Sequence, residues 1–305
     1  MPNLALQDSI SAARAYLDPN EVDCVVYHSP CPDGSGAALC AWLARGDKAV
    51  YIRRVYHRDF TDNALTDRNV VVLDASFNVD HLHKLRSIAK KVMILDHHYS
   101  AMQSLQHEEG CFFTMENSGA VLSWHYFHGL DKAPPRLIKL IEDRDLWRWS
   151  MRDQSEPLYY ALRERAPNSD FINFLPYTQN NQLDNLIEYG KTLVAANQKW
   201  CFDAAKLAET RYFTLPGSDK TYKIMCREVD GDRLVSELAE YLYTNNEIDF
   251  VMLWSKTAES TYKVSFRSMN PEVNLSEITA ALGGGGHKQA AGVVLNHSPL
   301  DFTRI

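Results

Sequence analysis

The sequence has no apolar run approaching the roughly 20 residues of a membrane span. Its first residues, MPNLALQDSISAARAY, lack the basic start and apolar stretch of a signal peptide. No membrane association is expected, and the cytoplasm is the expected compartment. Cysteine is sparse. Cys24, Cys31, Cys40, Cys111, Cys201 and Cys226 show no close pairing of the kind that binds zinc and are too few for a disulfide framework, so they read as reduced thiols. Basic charge is also short: 32 Lys and Arg against 39 Asp and Glu leave a formal charge of −7. This excludes a broad track for long nucleic acid, which needs many phosphate-neutralising cations. It leaves room for a small anion held through metal ions and a local basic pocket. No internal repeat is present, and the one low-complexity stretch is four glycines at 283–286. At 305 residues the chain is long enough for two domains of about 100–200 residues each.

Three short apolar runs stand out in the first hundred residues. DCVVYH ends at His28, VVVLD at Asp74 and VMILD at Asp96. Each is rich in β-branched residues, and helical patterns such as GSGAALCAWLA and NVDHLHKLRSIAKK lie between them, which predicts an α/β fold around a buried parallel sheet. Ligands of open α/β sheets bind beyond the carboxyl ends of the strands, so His28, Asp74 and Asp96 are expected to converge. From about 118 to 205 the pattern is mostly helical, and β-like alternation returns in FVMLWSK and TYKVSFRS. The expected fold is α/β: a parallel-sheet catalytic domain over 1–185, a helical linker over 186–210, and a smaller α/β substrate-binding domain over 211–305.

The strongest local chemistry is ILDHHYS, which places Asp96, His97 and His98 together at a strand end. Imidazole nitrogen and carboxylate oxygen in one short loop are the mixture that binds Mn²⁺ or a similar divalent ion. Taken alone, a polar turn explains the segment equally well. A lone Asp74 or Asp33 likewise reads first as a capping or turn residue. Together with His28, however, they form a carboxylate–imidazole set at three successive strand ends, suited to two metal ions acting on a phosphoryl group.

The order His28 to Asp33 and Gly34, then Asp74, then Asp96-His97-His98, then Asp143 in IEDRDLWRW resembles the four motifs of the DHH phosphoesterase superfamily, in its RecJ-like and nano-RNase branch. GGGGHKQAAG, residues 283–292, resembles the signature of the DHH-associated domain. The resemblance implies that Asp74 bridges two Mn²⁺ ions, with Mg²⁺ or Co²⁺ as alternatives. Asp33, His97 and Asp143 would complete one metal site, and His28 would serve the other. Asp96 would support the pair, and His98 would lie against the scissile phosphate. Asp143 is preferred to Asp145 because the first aspartate of DRDLWRW aligns with the fourth motif. One departure stands out: where the family usually carries a further aspartate two residues after the histidine, this chain has Pro30, beside Cys31. One position is therefore expected to bind metal weakly, with water favoured over the soft Cys31 thiolate.

The glycine run offers free backbone N–H groups of the kind that form an anion-binding concavity, at Gly284, Gly285 and Gly286. His287 lies beside it, and Arg267 in SFRS offers a planar fork for phosphate or a base. HKQAAGVVL reads as a helical turn entering a strand. Ser118, near the start of a helix, is a candidate phosphate contact, with simple capping an equal alternative. Arg53, Arg54, His57 and Arg58, where the second strand should end, read as a solvated basic face, with guidance of the substrate as the alternative. The reading is a divalent-metal-dependent phosphoesterase acting on short oligonucleotides or small nucleotides. Its alternatives are a cyclic-dinucleotide phosphodiesterase, a nucleotide 3′-phosphatase and a catalytically weakened nucleotide-binding protein.

Overall fold

The computed structural model describes residues 4–54, 62–165, 170–231, 234–257 and 259–305. His57 and Arg58 therefore lie outside the described residues. The chain divides into two compact units, Met1–Val194 and Ala195–Ile305. The division falls inside one continuous helix, Asn180–Ala205, which spans most of the 186–210 stretch.

The first unit holds α1 (Leu4–Tyr16), β1 (Cys24–His28), α2 (Pro32–Arg45), β2 (Val50–Arg54), β3 (Asn69–Leu73), α3 (Val79–Ile88), β4 (Lys91–Asp96), α4 (Tyr99–Leu105), β5 (Cys111–Phe113), α5 (Gly119–His128), α6 (Arg136–Asp145) and α7 (Arg152–Arg165). Its five strands are all parallel, in the order β2-β1-β3-β4-β5. The continuous apolar runs follow from burial on both faces. Val25, Tyr27, Val71, Leu73, Met93 and Leu95 point into one core with α1, α2, α5 and α6. The alternating residues Cys24, Val26, Val70, Val72, Val92 and Ile94 point into a second core with Leu82 and Leu85 of α3. Each fully buried Val or Leu contributes about 1.5–3 kcal/mol, and a one-residue slip would send every side chain to the wrong core. Register is fixed accordingly, and with it the height at which β1, β3 and β4 end.

Helix α8 (Asn180–Ala205) runs across the division. The second unit continues with β6 (Glu209–Thr214), β7 (Thr221–Glu228), α9 (Val235–Thr244), β8 (Phe250–Lys256), β9 (Tyr262–Arg267), α10 (Leu275–Ala280), β10 (Gly285–Gly286), β11 (Ala290–Leu295) and β12 (Thr303–Arg304). The sheet order is β10-β11-β9-β8-β7-β6-β12, antiparallel throughout except for the parallel pair β7 and β8. Phe213, Ile224, Phe250, Met252, Val264 and Phe266 pack under Leu275 and Ile278 of α10. Among the described residues no helix is long and apolar enough to cross a membrane.

Candidate metal centre and phosphate-binding hairpin

The adjacent strands β1, β3 and β4 end side by side, and their terminal residues meet. His28 closes β1 and Asp96 closes β4, while Asp74 follows β3 with φ of 52°. That left-handed conformation is uncommon outside glycine, although aspartate tolerates it better than most. It ends the strand while the Asp74 N–H still donates to the Leu95 carbonyl at 3.1 Å. His28 Nδ1 lies 3.4 Å from Asp74 Oδ2, and His97 Nε2 lies 3.1 Å from Asp74 Oδ1. Asp74 Oδ2 is buried and accepts no well-formed hydrogen bond, an uncommon state for a carboxylate oxygen.

Two helix starts complete the floor. α2 begins at Pro32, so Asp33 lies in its first turn, yet the Asp33 carboxylate serves another helix. It accepts from the first N–H groups of α5, Gly119 at 2.6 Å and Ala120 at 3.0 Å. Gly119 is required there, because a Cβ would stand 2.5 Å from the Asp74 Cβ. Asp33 Oδ2 is 3.6 Å from His97 Nε2.

Two residues expected at this site do not reach it. Asp143 is 2% exposed, and its carboxylate is consumed by the following turn. Oδ1 accepts from Ser150 N–H at 2.9 Å and from the Ser150 hydroxyl, while Oδ2 accepts from Met151 N–H at 3.2 Å and the Ser155 hydroxyl at 2.6 Å. These bonds hold its carboxyl below the usual range against the opposing effect of burial. Asp145, two residues on, points to the other side of α6 and puts Oδ2 3.5 Å from His97 Nε2. The structure thus brings Asp145, and not Asp143, to His97. Ser118 is wholly buried, and its hydroxyl accepts from Val121 N–H as the N-cap of α5. With Gly119, Ala120 and Val121 N–H all engaged inside the protein, this helix start has nothing to offer a phosphate.

The electrostatics mark a cation site. Burial and the neighbouring charges of Asp74 and Asp145 push Asp33 well above the ordinary carboxylate range. Burial also raises Asp145, with Asp74 adding to the effect and His97 opposing it. Burial opposes ionisation of Asp74 too, but contacts with His28 and His97 outweigh it and hold its carboxyl low. Burial opposes charge on His97, yet Asp74, Asp145 and Asp33 raise it to about 10. Three carboxylates crowd one imidazole, and a divalent cation relieves that repulsion. Among the described residues the donors fall into three overlapping sets, Asp33-His97-Asp145, His28-Cys31-Asp74 and Asp74-Asp96-His97-His98, each with its ligand atoms within 4.8 Å of one another. Asp74 belongs to the last two and meets His97, which the first and third share. Hard oxygen and imidazole nitrogen dominate, so the residues fit ions such as Mn²⁺. Cys31 reaches the second set, and burial with Asp74, Asp145 and Asp33 raises its thiol well above its ordinary value.

Asp96 and His98 also pair with each other. Asp96 is fully buried and accepts from the Ser76 hydroxyl at 2.6 Å and His97 N–H at 2.7 Å. Its Oδ1 is 2.6 Å from His98 Nδ1. These partners keep Asp96 ionised despite burial, and Asp96 in turn raises His98 against burial. With Nδ1 turned to an anion, the ring's proton is placed on Nδ1.

In the second unit, residues 283–292 form a tight antiparallel hairpin where a helical turn was expected. Gly285 pairs with Gly292 and Gly286 with Ala291, and the His287 N–H donates to the Ala290 carbonyl at 2.8 Å. Gly284 and Gly286 are structural necessities: a Cβ at Gly284 would meet the Gly292 carbonyl oxygen at 2.3 Å, and Gly286 has φ of 143°. Gly285 is exposed and has open space where a Cβ would go. His287 is exposed beside it. Arg267 pairs with Ala290 across β9 and β11, and its Nε donates to the Ser236 hydroxyl at 3.2 Å. The hairpin, His287 and Arg267 thus lie at one end of this sheet.

Residues 223–302 match the DHHA1 domain family. The chain is 26% identical over 317 residues to the uncharacterized protein R106 of Acanthamoeba polyphaga mimivirus, covering 95% of this chain and 73% of that protein. It is 23% identical over 289 residues to oligoribonuclease NrnB of Bacillus subtilis, covering 85% and 70%. Among solved structures it is similar to RecJ in complex with Mn²⁺ from Thermus thermophilus, with a TM-score of 0.55 and 15% identity, covering 97% of this chain and 52% of that one.

Proposed function

We propose that the chain is a DHH-superfamily phosphoesterase, a divalent-metal-dependent hydrolase of short oligonucleotides, a reading supported by the DHHA1 match over residues 223–302 and the similarity to an oligoribonuclease. The observation that carries this reading is the buried, incompletely bonded carboxylate of Asp74, which belongs to two overlapping sets of candidate metal-ligating side chains. Asp33, His97 and Asp145 would hold one ion and His28 the other, with Asp74 shared and Cys31 or water completing the second. Mn²⁺ suits these donors, and Mg²⁺ or Co²⁺ are alternatives. Bound ions supply Lewis acidity and neutralise charge that develops on a transferring phosphoryl group.

The protein's own part is positional. Asp96 fixes the His98 ring through Nδ1, and His98 is assigned to lie against the scissile phosphate, where it would exchange a proton with a reacting oxygen. The Gly285 backbone, His287 and Arg267 are assigned to binding a second phosphate or terminal nucleotide. Short substrates are favoured because a chain with a formal charge of −7 offers little to a long polyanion. An oligoribonuclease among the relatives supports the same substrate class.

A panel of two- to twenty-nucleotide RNA and DNA, cyclic dinucleotides and adenosine 3′,5′-bisphosphate, assayed with Mn²⁺, tests the proposal. Release of mononucleotide from two- to four-nucleotide RNA, lost in Asp74→Asn, is the expected result. Equal cleavage of twenty-nucleotide strands, or full activity in Asp74→Asn, refutes it.

A further inference from the structure

The turn after α6 carries two tryptophans in a conformation that bulky side chains avoid. Trp147 has φ of 51° and Trp149 φ of 55°, in the left-handed region where non-glycine residues cost of order 1–3 kcal/mol each and cluster at functional sites. The turn is held in that shape by Asp143, through its four bonds to Ser150, Met151 and Ser155. It is also tied by Arg148 to Glu142 at 3.0 Å and to the Glu116 carbonyl. What it displays is an aromatic surface over a cation. The buried Arg144 guanidinium lies 4.5 Å from the Trp147 ring centre, 5.2 Å from that of Trp149 and 4.2 Å from that of Tyr159. Trp149 stands edge-on to Trp147 at 5.0 Å, with Arg152 4.3 Å over its ring. Trp147, the outer member, keeps 39% of its surface in solvent.

The place of this surface gives it a use. Asp145, whose carboxylate faces His97, precedes Trp147 by two residues, so their Cα atoms are at most about 7.6 Å apart. A phosphate over the metal-ligating cluster therefore has its own nucleotide within reach of the indole. A turn built only to end α6 has no need of an exposed indole stacked on a buried guanidinium.

We propose that Trp147, backed by Arg144 and braced by Trp149, is the stacking platform for the nucleobase next to the scissile phosphate, which makes it a specificity-determining residue. The inference rests on the phosphoesterase reading for the position of that phosphate. Stacking reads the π-face that every base has, so the platform demands a base without choosing which.

Calorimetric titration of the full-length protein with Mn²⁺ present tests it, comparing adenosine 5′-monophosphate with ribose 5-phosphate. The wild type is expected to bind the nucleotide about fivefold to a hundredfold more tightly, the range that base–aromatic stacking supplies. Trp147→Ala is expected to lose that preference while keeping its affinity for ribose 5-phosphate, and Trp147→Phe to keep most of it. Should the alanine variant fail to fold, intrinsic fluorescence decides. The nucleotide should quench emission of the wild type where ribose 5-phosphate does not, and that quench should disappear in Trp147→Phe. Equal affinities in the wild type, no binding of the nucleotide, a base preference that survives in Trp147→Ala, or a quench that persists in Trp147→Phe overturns the proposal. Turnover is not read here. A protein that binds the base through Trp147 yet cleaves no oligonucleotide refutes the proposed activity and leaves the platform standing.

Discussion

Exchanging the roles of two aspartates two residues apart gives the sharpest test of the site. In Asp143→Asn one of the two carboxylate oxygens becomes an NH₂. Whichever way the amide turns, that group meets one backbone N–H, from Ser150 or Met151, and one serine hydroxyl. The hydroxyl can rotate to accept; the backbone N–H cannot. One buried donor is stranded at about 1–3 kcal/mol, and the charge-assisted character of the remaining bonds is lost, for a total of about 3 kcal/mol. In a unit of this size 1 kcal/mol moves the melting temperature by about 2–4 °C, so a fall of roughly 6–12 °C is expected. Affinity for Mn²⁺ should be little changed in the protein that remains folded. Asp145→Asn should do the reverse. Removing one of three crowded carboxylates leaves the ion-free melting temperature unchanged or slightly higher, while Mn²⁺ binding weakens at least tenfold. Differential scanning calorimetry with and without Mn²⁺, paired with isothermal titration, measures both. If Asp143→Asn loses the metal and keeps its stability, the assignment of the two residues is wrong.

Three further outcomes are expected. Because His97 is raised to about 10 in the folded, ion-free protein, its stabilising charge is complete below its unfolded value near 6.5 and is lost as pH rises through 10. Melting temperature without metal should therefore fall across that window, and saturating Mn²⁺ should flatten the fall; a flat ion-free profile would contradict the described cluster. Gly285→Ala should melt within about 1 °C of the wild type yet raise KM, whereas Gly284→Ala should melt several degrees lower because its Cβ meets a backbone oxygen; equal melting temperatures would contradict the hairpin. Arg267→Ala should raise KM more than it lowers kcat, with a loss of about 1.5–3 kcal/mol in kcat/KM, while His98→Ala should depress kcat; steady-state kinetics on a dinucleotide separates the two, and an effect of both on kcat alone refutes the division of roles.

The fold was legible where physics acts locally. VVVL and VMIL can only be strands buried on both faces, and their parallel order brings His28, Asp74 and Asp96 together. Adjacent His97 and His98 were visible as a pair, and the structure separates them: one faces Asp74 and the other Asp96. What could not be read was tertiary. Asp143 and Asp145 are chemically identical and lie on opposite sides of a helix that is buried on more than one side, so no spacing rule chooses between them. The choice is made by Ser150 and Ser155 beyond the helix. Ser118 shows the same limit, since its capping role was visible but not that Asp33, from a distant segment, had already taken the next two N–H groups. HKQAAG was misread because a hairpin with two-residue β10 is too short to show alternation.

The hold of α5 on Asp33 also bears on ionic radius. Both Asp33 oxygens are fastened to backbone N–H groups of a helix packed in the core, so this carboxylate can neither rotate nor retreat. Asp145 reaches the same cluster from the last residue of α6, is 27% exposed, and stands 3.5 Å from a single imidazole. An ion held by both would meet one stiff wall and one compliant one. Oxygen distances grow from about 2.0–2.1 Å for Mg²⁺ to about 2.3–2.6 Å for Ca²⁺, and Asp145 rather than Asp33 is the carboxylate that would have to give way to a larger ion, so the tolerance of this cluster for ionic size would rest on the end of α6.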